Sequence, residues 1–354
     1  QPMSSRLMDI LSGVDDSGMG RATRAALSVL EKPYRVLVAL RNATFDSRLR
    51  RSRPAGRVTV SVGNLTTGGT GKTPMVIEVV QRLKRAGATP AVLLRGYKRT
   101  GDRSDEEIVL AHALGDTPVI ANPDRMAAAK EALERNPAID VFVLDDGFQH
   151  RQVHRDLDLV LIDATQPFGF EHVLPRGLLR EPPQALRRAD AVIITRADQV
   201  EPERLVRLNR RIEQLTGRPP IAHAAHAWVG FHDVHCNTLP LDVLRDKKVA
   251  AVCAIGNPAP FLETLARHSG EIVRTKVLPD HYAFTQEEIR SIMTEAQQAH
   301  AEALVMTEKD WVKWQPWVDT DQLPLPIYRP ALELRFIDGE EAFESLLMTV
   351  LDKR

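Results

Sequence analysis

Val60-Ser-Val-Gly-Asn-Leu-Thr-Thr-Gly-Gly-Thr-Gly-Lys-Thr-Pro74 is the stretch on which the reading of the fold turns. A β-rich run over residues 57–62 leads into it, and residues 74–86 follow with Val76, Val79, Val80 and Leu83 at helical spacing. A strand, a glycine turn closing on Lys72-Thr73 and a helix are what a phosphate loop needs. Gly68, Gly69 and Gly71, with Thr70 among them, let backbone N–H groups turn inward around phosphate oxygens. The helix N-terminus adds partial positive charge. Lys72 is placed for the β- and γ-phosphates, and the Thr73 hydroxyl for Mg²⁺. Pro74 suits a first helical turn, where its missing N–H costs nothing. The usual GxxxxGK[ST] pattern has Gly where this chain has Thr66, so the loop is a variant.

Val141-Phe-Val-Leu-Asp145-Asp146 is an apolar run ending in paired aspartates. In a parallel sheet this sets carboxylates at the strand edge beside the phosphate loop, where one holds Mg²⁺ directly or through water. The residues do not choose between Asp145 and Asp146, and Asp-Gly is also good turn chemistry. Further short apolar strands are expected at residues 90–94, 157–162 and 191–195, separated by helices. The fold class is therefore α/β: a P-loop NTPase core with a doubly wound, mostly parallel sheet. Ile194-Thr-Arg-Ala-Asp198 loosely resembles a guanine-reading loop, but Arg and Thr replace the usual Lys and Asn, and a plain strand-end loop is the better reading. A second, smaller α/β series starts at residue 248, with strands at 249–255, 272–277, 304–307 and 332–336 and a helix at 258–268. The expected division is a basic N-terminal segment (1–56), the P-loop core (57–220), linker strands (221–247) and the smaller domain (248–354).

The N-terminal segment differs from the rest. Residues 20–53 hold nine Lys or Arg residues against Glu31 and Asp46, within a 354-residue chain whose 47 basic and 47 acidic residues cancel. Leu27, Leu30, Tyr34, Leu37, Val38 and Leu40 have rough helical spacing, with a break expected at Pro33. A basic amphipathic helix is read either as a membrane-surface element or as a helix packed on its own domain. The balanced total argues against a dedicated nucleic-acid binder, and no protein partner is inferred. Cys236 and Cys253 form no CxxC pair, no apolar run is long enough to cross a bilayer, and no signal-peptide pattern opens the chain. A cytoplasmic setting, in solution or on a membrane face, is expected. His223, His226, His232, His235 and Cys236 crowd one segment. Surface histidines on an alternating strand explain them better than zinc, which favours paired cysteines.

Together these pieces resemble the tetraacyldisaccharide 4′-kinases of lipid A synthesis. The resemblance rests on the phosphate-loop string with its Thr66, Arg95-Gly-Tyr97, Asp145-Asp-Gly-Phe-Gln-His150 with Arg155-Asp156, and Leu179-Arg-Glu-Pro182. Ile255-Gly-Asn-Pro258, Asp280-His281 and Thr307-Glu-Lys-Asp310 continue it. It implies ATP and Mg²⁺ as cofactors, an acylated disaccharide as acceptor, and an N-terminal helix resting on the cytoplasmic face of the bacterial inner membrane. It further implies Asp105 as the group activating the sugar hydroxyl, supported by His281 of the second domain, with domain closure completing the site. The family motif Gly-Asp-Glu-Pro reads Ser104-Asp105-Glu106-Glu107 here, and Asp102 lies nearby. Arg180 matches an arginine that neutralises γ-phosphate charge, Arg125 a second basic residue, and Gln149 and His150 further site positions. Tyr282 stands where the family often has a second histidine, and no role is carried there. Two other readings share parts of this pattern. Another P-loop small-molecule kinase or ligase would use Lys72, Thr73 and Asp145 without needing the basic helix. A nucleotide-dependent switch would favour GTP through Asp198.

Overall fold

The computed structural model describes residues 3–96, 99–100, 103–256, 258–279 and 282–353. Helices α1 (Met3–Ser12) and α2 (Gly18–Asp46) precede strand β1 (Val58–Asn64) and helix α3 (Lys72–Arg85). Strand β2 (Pro90–Leu94), the short strands β3 (Arg99–Thr100) and β4 (Arg103–Ser104), and helix α4 (Asp105–Leu114) follow. Next come β5 (Val119–Ala121), α5 (Arg125–Arg135), β6 (Val141–Asp145), β7 (Leu157–Asp163), β8 (Ala191–Thr195) and α6 (Pro202–Thr216). The chain continues through β9 (Ala222–His232), β10 (Thr238–Leu239), β11 (Lys248–Cys253), α7 (Ala259–His268) and β12 (Glu271–Val277). It closes with α8 (Gln286–Gln298), β13 (Ala303–Met306), α9 (Glu308–Trp314), β14 (Ile327–Asp338) and α10 (Glu340–Leu351).

Two compact units emerge. The first comprises Ser5–Arg99, Leu110–His226 and Leu334–Arg354; the second is chiefly Thr100–Val109 and Ala227–Glu333. In the first, the strand order is β9-β8-β7-β1-β6-β2-β5, parallel at every pairing. Strands β1, β6, β7 and β8 are buried along their whole length, as apolar runs covered on both faces must be. Alternation then sorts their side chains. Val58, Val60 and Val62 join Leu157, Leu159 and Leu161 in one core with Val76, Val79 and Leu83 of α3. Val160 and Ile162 face the other side with Leu65, Phe148 and Ile212.

The linear domain division expected from sequence differs from these units at two places. Helix α10 packs on α3 and β1, and Phe343, Leu347 and Val350 belong to the α3 core, so the last residues of the chain group with the phosphate loop. Arg82 of α3 secures them by ion pairs to Glu340 and Glu344. The segment around Asp105 groups instead with the second unit. There β12-β11-β13-β14 form parallel pairs, and β9 and β10 pair antiparallel through Phe231 and His232. Trp311 and Trp314, both fully buried, pack with Phe284 and Ile327 at the centre of one of its cores.

Helix α2 corrects one expectation: Pro33 does not break it, and the helix runs unbroken for 29 residues. An interior proline costs about 3 kcal/mol of helix stability. Anchors on both sides offset that cost. Glu31 accepts the Val173 N–H at 3.1 Å and pairs with His172 at 2.9 Å, and the Tyr34 hydroxyl donates to the Arg180 carbonyl at 3.1 Å. Nearer the C-terminus, Asn42 donates to Glu181 at 2.8 Å and Arg151 pairs with Asp46 at 2.6 Å.

Candidate active site

The turn between β1 and α3 is fixed from outside as well as by its own bonds. The Thr67 N–H donates to the Leu178 carbonyl at 2.7 Å, and the Arg180 N–H to the Leu65 carbonyl at 2.8 Å. Asn64 Nδ2 donates to Thr70 Oγ1 at 2.8 Å, and the Thr195 hydroxyl at the end of β8 donates to the Thr70 carbonyl at 2.9 Å. Gly71 caps α3 in the left-handed region, φ 86°. A Cβ there would lie 2.3 Å from His226 Nε2, so both conformation and space demand glycine. The result is a turn held open at the N-terminus of a 14-residue helix, the geometry in which backbone N–H groups receive an anion.

Charge gathers at the neighbouring strand end. Asp145 closes β6, in register with Val62 of β1, and is buried. Asp146 adopts φ 55°, which turns its carboxylate back toward the loop. It lies 3.6 Å from Lys72 Nζ and 2.5 Å from Arg180 Nη1. Burial acts to raise the Asp146 carboxyl, but Lys72, Arg180 and Arg125 outweigh it and hold it below the usual carboxylate range. Gly147 follows because a Cβ there would meet Ser61 Oγ at 2.5 Å. Arg125, 2 % exposed at the start of α5, donates to the Asp145 carbonyl at 3.3 Å and to the Asn122 carbonyl at 2.8 Å. Burial pushes its guanidinium down to about 10, against the pull of Asp145 and Asp146. Gln149 bridges the cluster to the loop, accepting from Arg180 at 3.3 Å and donating to the Asn64 carbonyl at 2.9 Å. The His150 ring is pushed down to about 4, by burial first and then by Arg125, Arg155 and Arg41.

The oxygen-rich donor set fits Mg²⁺. Asp145, Asp146 and the Thr73 hydroxyl are hard ligands, and Asp146 Oδ1 is buried with no hydrogen bond. Among the described residues no three His, Cys, Asp or Glu side chains group as a metal cage. His226 departs from the surface position expected of the histidine-rich segment: its Nε2 is buried with no hydrogen-bond partner, and burial, then Arg196, pushes its ring down to about 4. Arg196 itself is paired with Asp163, and a short 3-10 turn over Ala197–Gln199 follows the end of β8.

Asp105 lies in the second unit as the first residue of α4, 6 % exposed. Lys313 Nζ approaches its Oδ2 at 3.5 Å and Asp310 Oδ1 at 3.8 Å. Asp310 accepts the Thr307 hydroxyl at 2.6 Å and the Ala254 N–H at 3.0 Å, which explains the Thr307-Glu-Lys-Asp310 motif as a brace between α9 and the end of β11. His281, Asp102, Tyr97, Asn257 and Asp280 lie outside the described residues. Lys72, Asp145, Asp146, Arg180, Gln149 and Arg125 are thus brought together, with Thr73 in the first turn of α3. Sequence reasoning missed Asn64, Thr195, His226 and Lys313. Only Thr195, a hydroxyl closing a β-strand beside the loop, carried a signal that could have found it.

Fold and loop together define a P-loop nucleotide-binding protein of the doubly wound α/β class. The sequence profile described as Tetraacyldisaccharide-1-P 4'-kinase (LpxK) matches residues 23–352, and the chain belongs to that family. Among its relatives, a tetraacyldisaccharide 4'-kinase of Anaeromyxobacter dehalogenans (strain 2CP-C) is 39% identical over 316 residues, covering 84% of this chain and 83% of the relative. One from Geobacter metallireducens is 34% identical, covering 95% and 99%. The crystal structure of LpxK from Aquifex aeolicus in complex with ATP superposes with a TM-score of 0.74 at 28% identity, covering 93% of this chain and 99% of that one.

Proposed function

We propose that this chain transfers the γ-phosphate of ATP to the 4′-hydroxyl of a tetraacyldisaccharide 1-phosphate in lipid A biosynthesis. The observation that carries this reading is the cluster in which Lys72 and Arg180 converge on Asp146 beside an open phosphate turn. Phosphoryl transfer asks a protein for alignment and charge neutralisation more than for covalent chemistry. The loop N–H groups and Lys72 hold the β- and γ-phosphates, and Arg180 and Arg125 offset negative charge as the γ-phosphoryl leaves. Thr73, Asp145 and Asp146 would hold Mg²⁺, which when bound would supply charge neutralisation at the phosphates. Asp105 accepts the proton of the attacking hydroxyl, with His281 supporting it. The test is mass spectrometry of detergent-solubilised acceptor after incubation with ATP and Mg²⁺. One added phosphate is expected, and ATP hydrolysis that ignores the acceptor would point to a switch instead. Asp105→Ala is expected to lower kcat on the order of 10²- to 10⁴-fold with little change in ATP affinity. If Asp102→Ala does this and Asp105→Ala does not, the base is misassigned.

The acceptor is a lipid, and α2 is suited to a membrane surface. Val29, Leu30, Val36, Leu37 and Leu40 are each 56–65% exposed and recur at helical spacing as one apolar stripe, with Lys32 and Arg35 exposed beside it. Among the described residues no helix is long and apolar enough to cross a membrane. Peripheral attachment through α2, on the cytoplasmic face of the inner membrane, follows from this reading. Leu30, Leu37 and Leu40 replaced together by Ser should abolish vesicle flotation; unchanged flotation would refute the attachment.

A further inference from the structure

Just past the end of α2 the chain enters a cavity of about 660 Å³, a size typical of ligand pockets. Six arginines line it: Arg48, Arg50, Arg51, Arg151, Arg155 and Arg188. Three are held by carboxylates: Arg151 by Asp46 at 2.6 Å, Arg155 by Asp158 at 2.8 Å and Arg188 by Glu181 at 2.9 Å. Arg48, Arg50 and Arg51 have no carboxylate partner among the described residues. Two aspartates also line the cavity, and Asp158 is engaged through Oδ2 while its Oδ1 is buried with no hydrogen bond. Asp158 is 2 % exposed and gripped by Arg155, and Asp190 accepts the Asp158 N–H at 2.8 Å. One buried donor of a lining residue, Arg188 Nε, has no acceptor. His154 completes the polar wall. A half-open wall with three exposed guanidinium groups free of carboxylate partners and one buried unsatisfied N–H suits a multivalent oxyanion, because guanidinium forks match phosphate oxygens in number and plane.

We infer that this cavity is a phosphate-group site, distinct from the phosphate loop, which receives the phosphorylated headgroup of a bilayer lipid. The inference rests on the membrane reading of α2, since it is the end of that helix that delivers Arg48, Arg50 and Arg51. A free phosphate monoester offers the same chemistry, and two experiments separate the sources. In the first, flotation is measured with phosphatidylcholine vesicles, with and without about a fifth phosphatidic acid. The Arg48→Gln, Arg50→Gln, Arg51→Gln variant should lose the gain from phosphatidic acid on the order of 100-fold. Its binding to neutral vesicles and its kinase activity on detergent-solubilised acceptor should not change. A control variant, Arg21→Gln, Lys32→Gln, Arg35→Gln, removes equal charge outside the cavity; an equal loss there means general attraction and overturns the site. In the second, glycerol 3-phosphate is titrated by calorimetry. Saturable binding that the cavity variant lacks supports the site. If it comes with an unchanged response to phosphatidic acid, the lipid assignment is overturned. Wild-type-like behaviour of the cavity variant in both assays rejects the inference outright. If the leucine-to-serine variant of α2 still floats on neutral vesicles, the membrane reading fails independently of the arginines.

Discussion

The two units of this molecule arrange charge in opposite ways. Beside the phosphate loop, two cations share one carboxylate: Lys72 and Arg180 both converge on Asp146, and their side chains are 14%, 25% and 29% exposed. Around Asp105, one cation serves two carboxylates: Lys313 lies between Asp105 and Asp310, with side chains 5%, 8% and 0% exposed. The first set is partly exposed and rich in positive charge once Asp146 turns elsewhere. It can exchange its internal partner for a triphosphate without first unfolding anything. The second is enclosed, and its Asp310 is held by the Thr307 hydroxyl and the Ala254 N–H. The contrast teaches that one cluster is built to be rearranged by a ligand and the other to keep a geometry.

Substitution of Lys72 gives the largest expected effect. Lys72→Ala should lower kcat/KM on the order of 10³-fold or more, since a preorganised cation on developing phosphate charge is worth several kcal/mol. Because the site is partly open, thermal melting should shift little. A variant that unfolds, or one with near-normal turnover, means that the cluster beside the loop is not an exchangeable phosphate clamp. Lys313→Met tests the other half. Removing the cation from beside two buried carboxylates should destabilise the fold on the order of 3 kcal/mol, read as a lower denaturant midpoint. Lys313→Arg should recover part of this. If Lys313→Met melts like wild type, the enclosed cluster is not a structural brace.

A smaller effect is expected at Gly71. Gly71→Ala forces an L-residue to φ 86° and sets a Cβ 2.3 Å from His226 Nε2. A cost of about 2 kcal/mol is expected from the left-handed backbone and the crowded ring together. Adding His226→Ala should remove the crowding and leave the backbone share. Strict additivity of the two substitutions in a double-mutant cycle would show that the ring and the glycine do not meet.

What the sequence made legible follows from the same division of labour. Strand ends and the glycine turn were readable because backbone geometry restricts residue type there. Gly68, Gly71, Asp146 and Gly147 occupy positions where few residues can stand, and apolar runs such as residues 141–144 are buried on both faces. The Lys313–Asp105 pair was not readable, because it joins residues far apart in sequence and a lysine on a helix face has no local signature. The continuity of α2 through Pro33 was missed for a related reason. Local propensity speaks against it, while Glu31, Tyr34 and Asn42 are anchored by residues 172–181, which no local window includes. The return of α10 to the α3 core is likewise a tertiary fact, written in no linear boundary.

The smallest expected effect concerns pH and the wall behind the loop. His226 is neutral in the folded chain, with its ring pushed down to about 4 by burial and then by Arg196, against about 6.5 when unfolded. Between those two values the unfolded chain binds a proton that the folded chain refuses. Stability is therefore complete above about pH 6.5 and falls as pH drops toward 4. His150, pushed down to about 4 chiefly by burial, adds a loss of the same sign. His226→Gln should leave only the His150 share of this effect. Melting temperatures taken from pH 7 down to pH 4, each relative to its own value at pH 7, should then fall less steeply in the variant than in wild type. Parallel curves would mean that the His226 ring is already hydrated and protonated in the folded chain. The phosphate turn would then lack the dry wall on Gly71 that separates its open, exchangeable charges from the closed core beneath them.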